Sequence, residues 1–268
     1  MFDSHCHLNF EAFTDQEEKT INEARANDIN FFLVPGTDLK TSQKAIKIAQ
    51  EYPRVWAAVG IHPHHAQKYN AKDLEKIKKL AQRKTAAAIG EIGLDYYQYQ
   101  KTKYNNYQIN EEFKQKQKEL LQKQIIIALQ LKKPIIFHNR EASEDFLEIL
   151  TEIGWENFSN SAVFHCCSPE KKLLNIAKEK QIYVGVDGDV TYDKKKAEFV
   201  KNIPLKQLIL ETDSPYLTPL PVKKNKKFPN APKNLIYTAQ FIAQLKNISL
   251  QELKKITTKN TNKLFNLE

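Results

Sequence analysis

No stretch of this chain approaches the roughly 18–20 unbroken apolar residues that a membrane span requires, so no transmembrane helix and no membrane partner are expected. The start, Met1-Phe2-Asp3-Ser4-His5, lacks the basic segment and apolar run of a secretory signal. Cysteine is scarce: Cys6, Cys166 and Cys167 are odd in number and sit at no disulfide-framework spacing. This argues against a disulfide-stapled secreted scaffold and makes a reducing cytoplasm the expected location. Arginine is rarer still, with only Arg25, Arg54, Arg83 and Arg140 among 41 basic residues. The formal charge of +9 is therefore a lysine effect in a chain also rich in Asn, Gln and Ile, and reflects composition as much as a polyanion partner. It permits a phosphate-rich substrate without demonstrating one.

What is present is ordinary for a soluble globular protein: 41% hydrophobic and 27% charged residues. The 268 residues match one (β/α)₈ barrel, and a chain of this size buries about three-quarters of its unfolded surface. Short apolar, β-branched runs at 1–7, 29–35, 55–61, 86–92, 134–138, 162–165, 182–186 and 207–211 predict strands. Amphipathic stretches at 42–51, 71–83, 111–131, 141–153, 169–180 and 194–201 predict helices between them. Such alternation implies a parallel α/β sheet, and eight units close most naturally into a TIM barrel forming a single domain over 1–268. A doubly wound open sheet is the other arrangement the pattern allows. The tail predicts a helix at 234–246 and another opened by a capping box, Ser249-Leu250-Gln251-Glu252. Two regions break the rhythm. Residues 96–117 form a polar, tyrosine-rich insertion, and 217–232 form a basic, proline-rich loop with Pro219, Pro221, Pro229 and Pro232. Loops that follow barrel strands build active-site walls, so both are candidates for substrate contacts.

Position gives the chemistry. His5 and His7 end the first predicted strand, Glu91 the fourth, His138 the fifth and His165 the sixth, while Asp213 follows the eighth. In a closed parallel barrel these ends meet at one face. Side chains alternate along a strand, so His5 and His7 point into the barrel together while Cys6 points out. A lone histidine at a strand end is usually structural, and a lone acid often caps a helix. Six residues of metal-binding type at strand ends are a different matter. Imidazoles with carboxylates suit divalent ions such as Zn²⁺, Mn²⁺, Mg²⁺ or Co²⁺. Two ions are expected: His5, His7 and Asp213 on one, His138 and His165 on the other, and Glu91 bridging. Such a pair activates a shared hydroxide and stabilises a leaving oxygen, with Asp213 the candidate general base. The three cysteines are expected to pack in the interior.

The same residues carry a family resemblance. Asp3-Ser4-His5-Cys6-His7-Leu8, Val59-Gly60-Ile61-His62-Pro63, Gly90-Glu91-Ile92-Gly93-Leu94-Asp95-Tyr96, His138-Asn139-Arg140, Phe164-His165-Cys166 and Glu211-Thr212-Asp213-Ser214-Pro215-Tyr216-Leu217 occur in family order over nearly the whole chain. In these segments the chain resembles the TatD-related deoxyribonucleases of the amidohydrolase superfamily. The resemblance implies a TIM-barrel hydrolase of phosphodiester bonds, with DNA, and RNA or tRNA besides, as substrate, of the 3′→5′ exonuclease type. It also implies His5, His7, Glu91, His138, His165 and Asp213 as metal ligands, with His62 reaching the scissile phosphate. No obligate protein partner is implied. The alternative is a metal-dependent ester or amide hydrolase, such as a D-aminoacyl-tRNA deacylase. The chain departs from the family at Asn139, where Ser or Thr is usual. It departs again at Cys167-Ser168-Pro169, where an aromatic residue and Ser-Gly are usual, and in the glycine-free lysine loop. These departures bear on substrate choice. Arg140 is the arginine nearest the expected mouth and suits a bidentate phosphate contact. Lys223, Lys224, Lys226 and Lys227 are candidates to track a backbone, and Tyr99, Tyr104 and Tyr107 to stack on bases.

Overall fold

The computed structural model describes residues 1–100, 108–225 and 229–267. Its eight strands lie in one parallel sheet in chain order: β1 (Phe2–Asp3), β2 (Phe31–Pro35), β3 (Val55–Val59), β4 (Ala86–Asp95), β5 (Ile135–Arg140), β6 (Ala162–Phe164), β7 (Tyr183–Val186) and β8 (Leu208–Leu210). The chain closes the gap between β8 and β1 just past the short first strand. Ser4 N donates to Leu210 O (3.0 Å), Asp213 N to His5 O (2.9 Å) and His7 N to Ser214 O (2.8 Å). These bonds decide between the two expected arrangements in favour of the barrel.

The helices are α1 (Glu17–Arg25), α2 (Leu39–Glu51), α3 (Ala71–Ala81), α4 (Glu111–Leu131), α5 (Ser143–Ile153), α6 (Lys171–Lys180), α7 (Lys194–Lys201), α8 (Leu235–Leu245) and α9 (Leu250–Phe265). Side chains start them where the sequence offers an acceptor. Asp38 and Thr41 form a reciprocal capping box at α2, as do Asn70 and Asp73 at α3. Ser249 accepts from Glu252 N at α9, one limb of the expected box. Helix α1 escapes the periodicity reading because only Ile21 and Ala24 of its nine residues are buried. The expected insertion 96–117 is partly helix, since α4 begins at Glu111, and 101–107 lie outside the described residues. In the proline-rich loop Val222–Asn225 make a 3₁₀ turn.

Two buried layers separate by strand parity on every strand but β4. Phe2, Leu33, Ala58, Ile136, Val163, Tyr183 and Ile209, one from each of the other strands, pack together with the adjacent Ala87 and Ala88 of β4 and with Leu264 and Phe265 of α9. Their alternates, among them Phe32, Ala57, Phe137, Phe164, Val184 and Leu210, pack outward under the helices. The first set fills the barrel, as side-chain layers do in this architecture. Continuing the inward parity upward leads from Ile136 to His138, from Val163 to His165 and from Ile209 to Glu211. The barrel's packing thus aims the polar groups above it.

Strand β4 breaks this parity, and the break matters. Ile89 pairs with Ile135, but the next outward residue pairing with β5 is Ile92, opposite Phe137. One extra residue on β4 between these points flips the alternation. Glu91, which shares Ile89's parity and would otherwise face the helices, faces the barrel mouth. Beyond it Gly93 pairs with His138, and a Cβ at Gly93 would lie 1.7 Å from His138 O. Glycine is required there by the approach of the two backbones.

Candidate metal centre

A cavity of about 780 Å³ opens at the carboxyl ends of the strands, with His7, His62, Glu91, His138, His165 and Asp213 in its wall and His5 buried beside it. All six expected ligands and His62 are therefore brought together. Glu91 stands at the centre and its two oxygens divide the imidazoles. Oε2 lies 3.4 Å from His5 Nε2 and 3.7 Å from His7 Nε2. Oε1 lies 2.7 Å from His138 Nδ1, 3.2 Å from His165 Nε2 and 3.6 Å from His62 Nε2. Asp213 Oδ1 joins the first group, 3.7 Å from His5 Nε2 and 3.4 Å from His7 Nε2. Asp213 takes a left-handed φ of 48°, which turns its side chain toward the histidines. Burial would raise the Glu91 carboxyl, but His165, His62 and His138 hold it well below the usual carboxylate range.

Outer partners fix the rings. Burial lowers the His138 imidazole, but hydrogen bonds to Asp95 (Nε2–Oδ2, 3.1 Å) and Glu91 outweigh it and raise it to about 9. His165 is likewise pushed down by burial and lifted well above its ordinary value by Glu211 and Glu91, with Glu211 Oε1 3.2 Å from Nδ1. Glu211 also accepts from Cys166 N at 2.6 Å, and Gly185 leaves room for it, since a Cβ there would lie 2.5 Å from Oε2. His5 is stacked on His165, with ring centroids 3.7 Å apart, and is lowered by burial and by that neighbour. His62 is held well below its ordinary value by burial and by His138 and His64. Its Nδ1 accepts from His64 N at 3.1 Å, so the neutral ring carries its proton on Nε2.

These groups fit a cation. His7 Nδ1 lies 3.3 Å from Pro35 O, a pure acceptor, which leaves the Nε2 lone pair facing His5 Nε2 at 3.2 Å. Two carboxylate oxygens point at the same spot. Among the described residues the ion-pair partners of Glu91 and Asp213 are imidazoles alone. Buried lone pairs converging without enough protons are what a divalent ion relieves.

Several residues were not foreseen. Asp95 extends β4 four residues past Glu91, and on one face; the strand runs further than its apolar core suggests. Glu211 stands two before Asp213, the spacing that shares a face, and His64 stands two after His62. Cys166 corrects the expectation of three packing cysteines. Its φ of 44° turns the half-buried thiol to the cavity wall, whereas Cys6 and Cys167 are buried as expected. Beside it Lys196 is buried between Asp187 Oδ2 (2.9 Å) and Asp189 Oδ1 (2.7 Å), its Nζ 3.9 Å from Cys166 Sγ. Burial would lower this amine, yet Asp187 keeps it well above its ordinary value, so an ammonium already serves these acids.

Arg140 lies at the mouth as expected. Its Nη1 donates to Tyr99 OH at 2.9 Å, and its guanidinium lies 3.9 Å from the Tyr97 ring centre. Tyr99 donates in turn to Asp95 Oδ2 at 2.9 Å, so it braces Arg140 in place of standing open to a base. Lys223 is exposed with its Nζ 3.3 Å from the Tyr192 ring centre, and Lys224 is exposed. Tyr104, Tyr107, Lys226 and Lys227 lie outside the described residues.

Comparison with known proteins gives a consistent picture. Residues 2–266 match the family model described as TatD related DNase. An uncharacterized metal-dependent hydrolase of Bacillus subtilis, YabD, is 36% identical over 269 residues, covering 100% of this chain and 99% of the relative. The 3′-5′ ssDNA/RNA exonuclease TatD of Citrobacter rodentium is 31% identical over 271 residues, covering 100% and 98%. Among solved structures, the TatD homolog YjjV of Escherichia coli superposes with a TM-score of 0.87 at 24% identity, covering 100% of this chain and 98% of that one.

Proposed function

This chain belongs to the TatD-related DNase family and is a metal-dependent hydrolase, and from that premise we propose that it removes nucleotides from the 3′ end of single-stranded DNA or RNA. In this reading two divalent cations are held by His5, His7, Glu91, His138, His165 and Asp213. The observation that carries it is the division at Glu91, with one oxygen toward His5 and His7 and the other toward His138 and His165. A carboxylate so placed is suited to bridge two ions. Bound divalent ions supply charge that polarises a phosphoryl oxygen and lowers the pKa of water to about 7.

The chain's own groups do the rest. Asp213 is the more open of the two central carboxylates, 16% exposed against 5% for Glu91, and takes the proton of the attacking water. His62 carries its proton on Nε2 and so donates to the scissile phosphate, which suits it poorly as a ligand through that atom. Arg140, at the cavity rim on its tyrosines, receives a neighbouring phosphate through its planar fork. A cavity of about 780 Å³ has room for the end of a nucleic-acid chain. Residues 1–268 act as one hydrolase domain, and the cytoplasm is the proposed location; among the described residues no helix is long and apolar enough to cross a membrane. Glu91 in the bridging place and the exonuclease names among relatives favour phosphodiesters over the ester or amide alternative.

The test is digestion of end-labelled single-stranded DNA and RNA with Mg²⁺ or Mn²⁺. Wild type should give a ladder shortening from the 3′ end, and Asp213→Asn should be slower by about 10²–10⁴-fold. Equal rates for the two proteins would reject the site, and cleavage of esters alone would reject the substrate class.

A further inference from the structure

Asp95 is fully buried, yet nothing in the barrel's apolar packing calls for a carboxylate there. A buried acid persists where its bonds are made, and Asp95 makes many. Its Oδ1 accepts from Tyr97 N at 3.0 Å. Its Oδ2 faces His138 Nε2 at 3.1 Å and accepts from Tyr99 OH at 2.9 Å; His64 Nε2 lies 2.9 Å from the same oxygen. The Gln117 side chain clamps its backbone, accepting from Asp95 N at 2.8 Å and donating to Asp95 O at 2.9 Å. Asp95 is thus held from behind while its side chain holds others.

Each contact has a directional consequence. Carboxylates face both ring nitrogens of His138, Asp95 Oδ2 on Nε2 and Glu91 Oε1 on Nδ1 at 2.7 Å. Were a cation to replace the proton on the Glu91 side, the one proton left would belong on Nε2, where Asp95 accepts it, and the Nδ1 lone pair would face the ion. Imidazole ligands are commonly oriented in this way by a group on the far nitrogen. The same oxygen takes the Tyr99 proton, which leaves the phenol lone pairs for Arg140 Nη1 at 2.9 Å. One buried atom therefore sets the acceptor side of a proposed metal ligand and the seat of the rim arginine.

We propose that Asp95 is a positioning residue shared by the two sides of the site: it fixes the His138 tautomer for a metal ion and, through Tyr99, the placement of Arg140 for a substrate phosphate. The Arg140 side rests on the nuclease reading above; the His138 side does not.

Zinc affinity measured without substrate, by competition with a chromophoric chelator, tests the first side. Asp95→Asn should weaken zinc binding by about 10–100-fold, while Tyr99→Phe should bind zinc as wild type does. Unchanged affinity in Asp95→Asn would overturn the His138 side. Kinetics on single-stranded DNA at saturating Mn²⁺ test the second. Asp95→Asn and Tyr99→Phe should each raise KM several-fold, and the double variant should be no worse than Asp95→Asn alone. Effects that multiply would overturn the link to Arg140. Should Asp95→Asn fail to fold, long-range ¹H–¹⁵N spectra of zinc-loaded wild type decide the first side: protonation of His138 on Nε2 supports it, and protonation on Nδ1 overturns it. Wild type inert toward every nucleic acid would reject the nuclease reading and the Arg140 side with it, while the zinc titration and the tautomer still decide the rest.

Discussion

The two groups of imidazoles that share Glu91 are supported in different ways. Behind His138 and His165 stand buried carboxylates, Asp95 and Glu211. Behind His7 stands only the Pro35 carbonyl, and the buried His5 Nδ1 has no hydrogen-bond partner among the described residues. The carboxylate-backed pair is raised toward the charged form, His138 to about 9 despite its burial. His5 is lowered by burial. A charged imidazole must give up a proton to accept a cation, whereas a neutral one need not. The lesson is a division of labour between a strongly oriented half that competes with protons and a half in which burial holds His5 toward its neutral form.

The harshest way to break this comparison is to remove each half in turn. His5→Ala/His7→Ala and His138→Ala/His165→Ala should each lose one metal equivalent by elemental analysis and retain the other. Turnover should fall by at least about a hundredfold in both, since a cation at the phosphoryl oxygen is worth several kcal/mol. Loss of both ions from either variant would show that the halves do not act separately. A finer probe is Glu211→Gln, which keeps the shape behind His165 and removes the charge. Metal affinity should drop by about 10–100-fold for one ion only, read by chelator competition. Equal weakening of both ions would erase the asymmetry.

The smallest effect is the pH dependence of the metal-free protein. The folded pKa of His138, about 9, lies above its ordinary value of 6.5. The stability this contributes is fully present below pH 6.5 and is lost as pH rises through about 9. Thermal unfolding of metal-free wild type compared with His138→Gln should therefore show an advantage for wild type that shrinks between pH 6.5 and 9. An advantage that grows over that range would contradict the charged, doubly bonded imidazole.

Much of this was legible in the linear chain. The βα alternation marked all eight strands near their observed places, and β6 was placed to within one residue at its end. The six proposed ligands stood out because histidine is scarce, seven in the chain, and four of the seven recur with two acids at predicted strand ends. Reading stopped where the signal ceased to be local. Asp95 lies past the apolar part of β4, so a strand drawn from hydrophobic residues stops short of it. Glu211 looks like a strand terminus until β7 brings Gly185 against it. Cys166 follows inward-facing His165 and by alternation should face the helices, but its positive φ carries the thiol to the cavity.

Period-two patterning determined from sequence alone which strand residues face the barrel, because side chains on an extended backbone must alternate. With it came the convergence of His5, His7, His138 and His165 at one end. Glu91 was a matter for the tertiary structure. Its inward turn depends on an extra residue in β4 opposite β5, a mismatch that exists only when the two strands are paired. The same pairing sets His138 between Glu91 and Asp95. Sequence carries the identity of ligands, but which carboxylate stands behind which imidazole is fixed by register, and register belongs to pairs of strands.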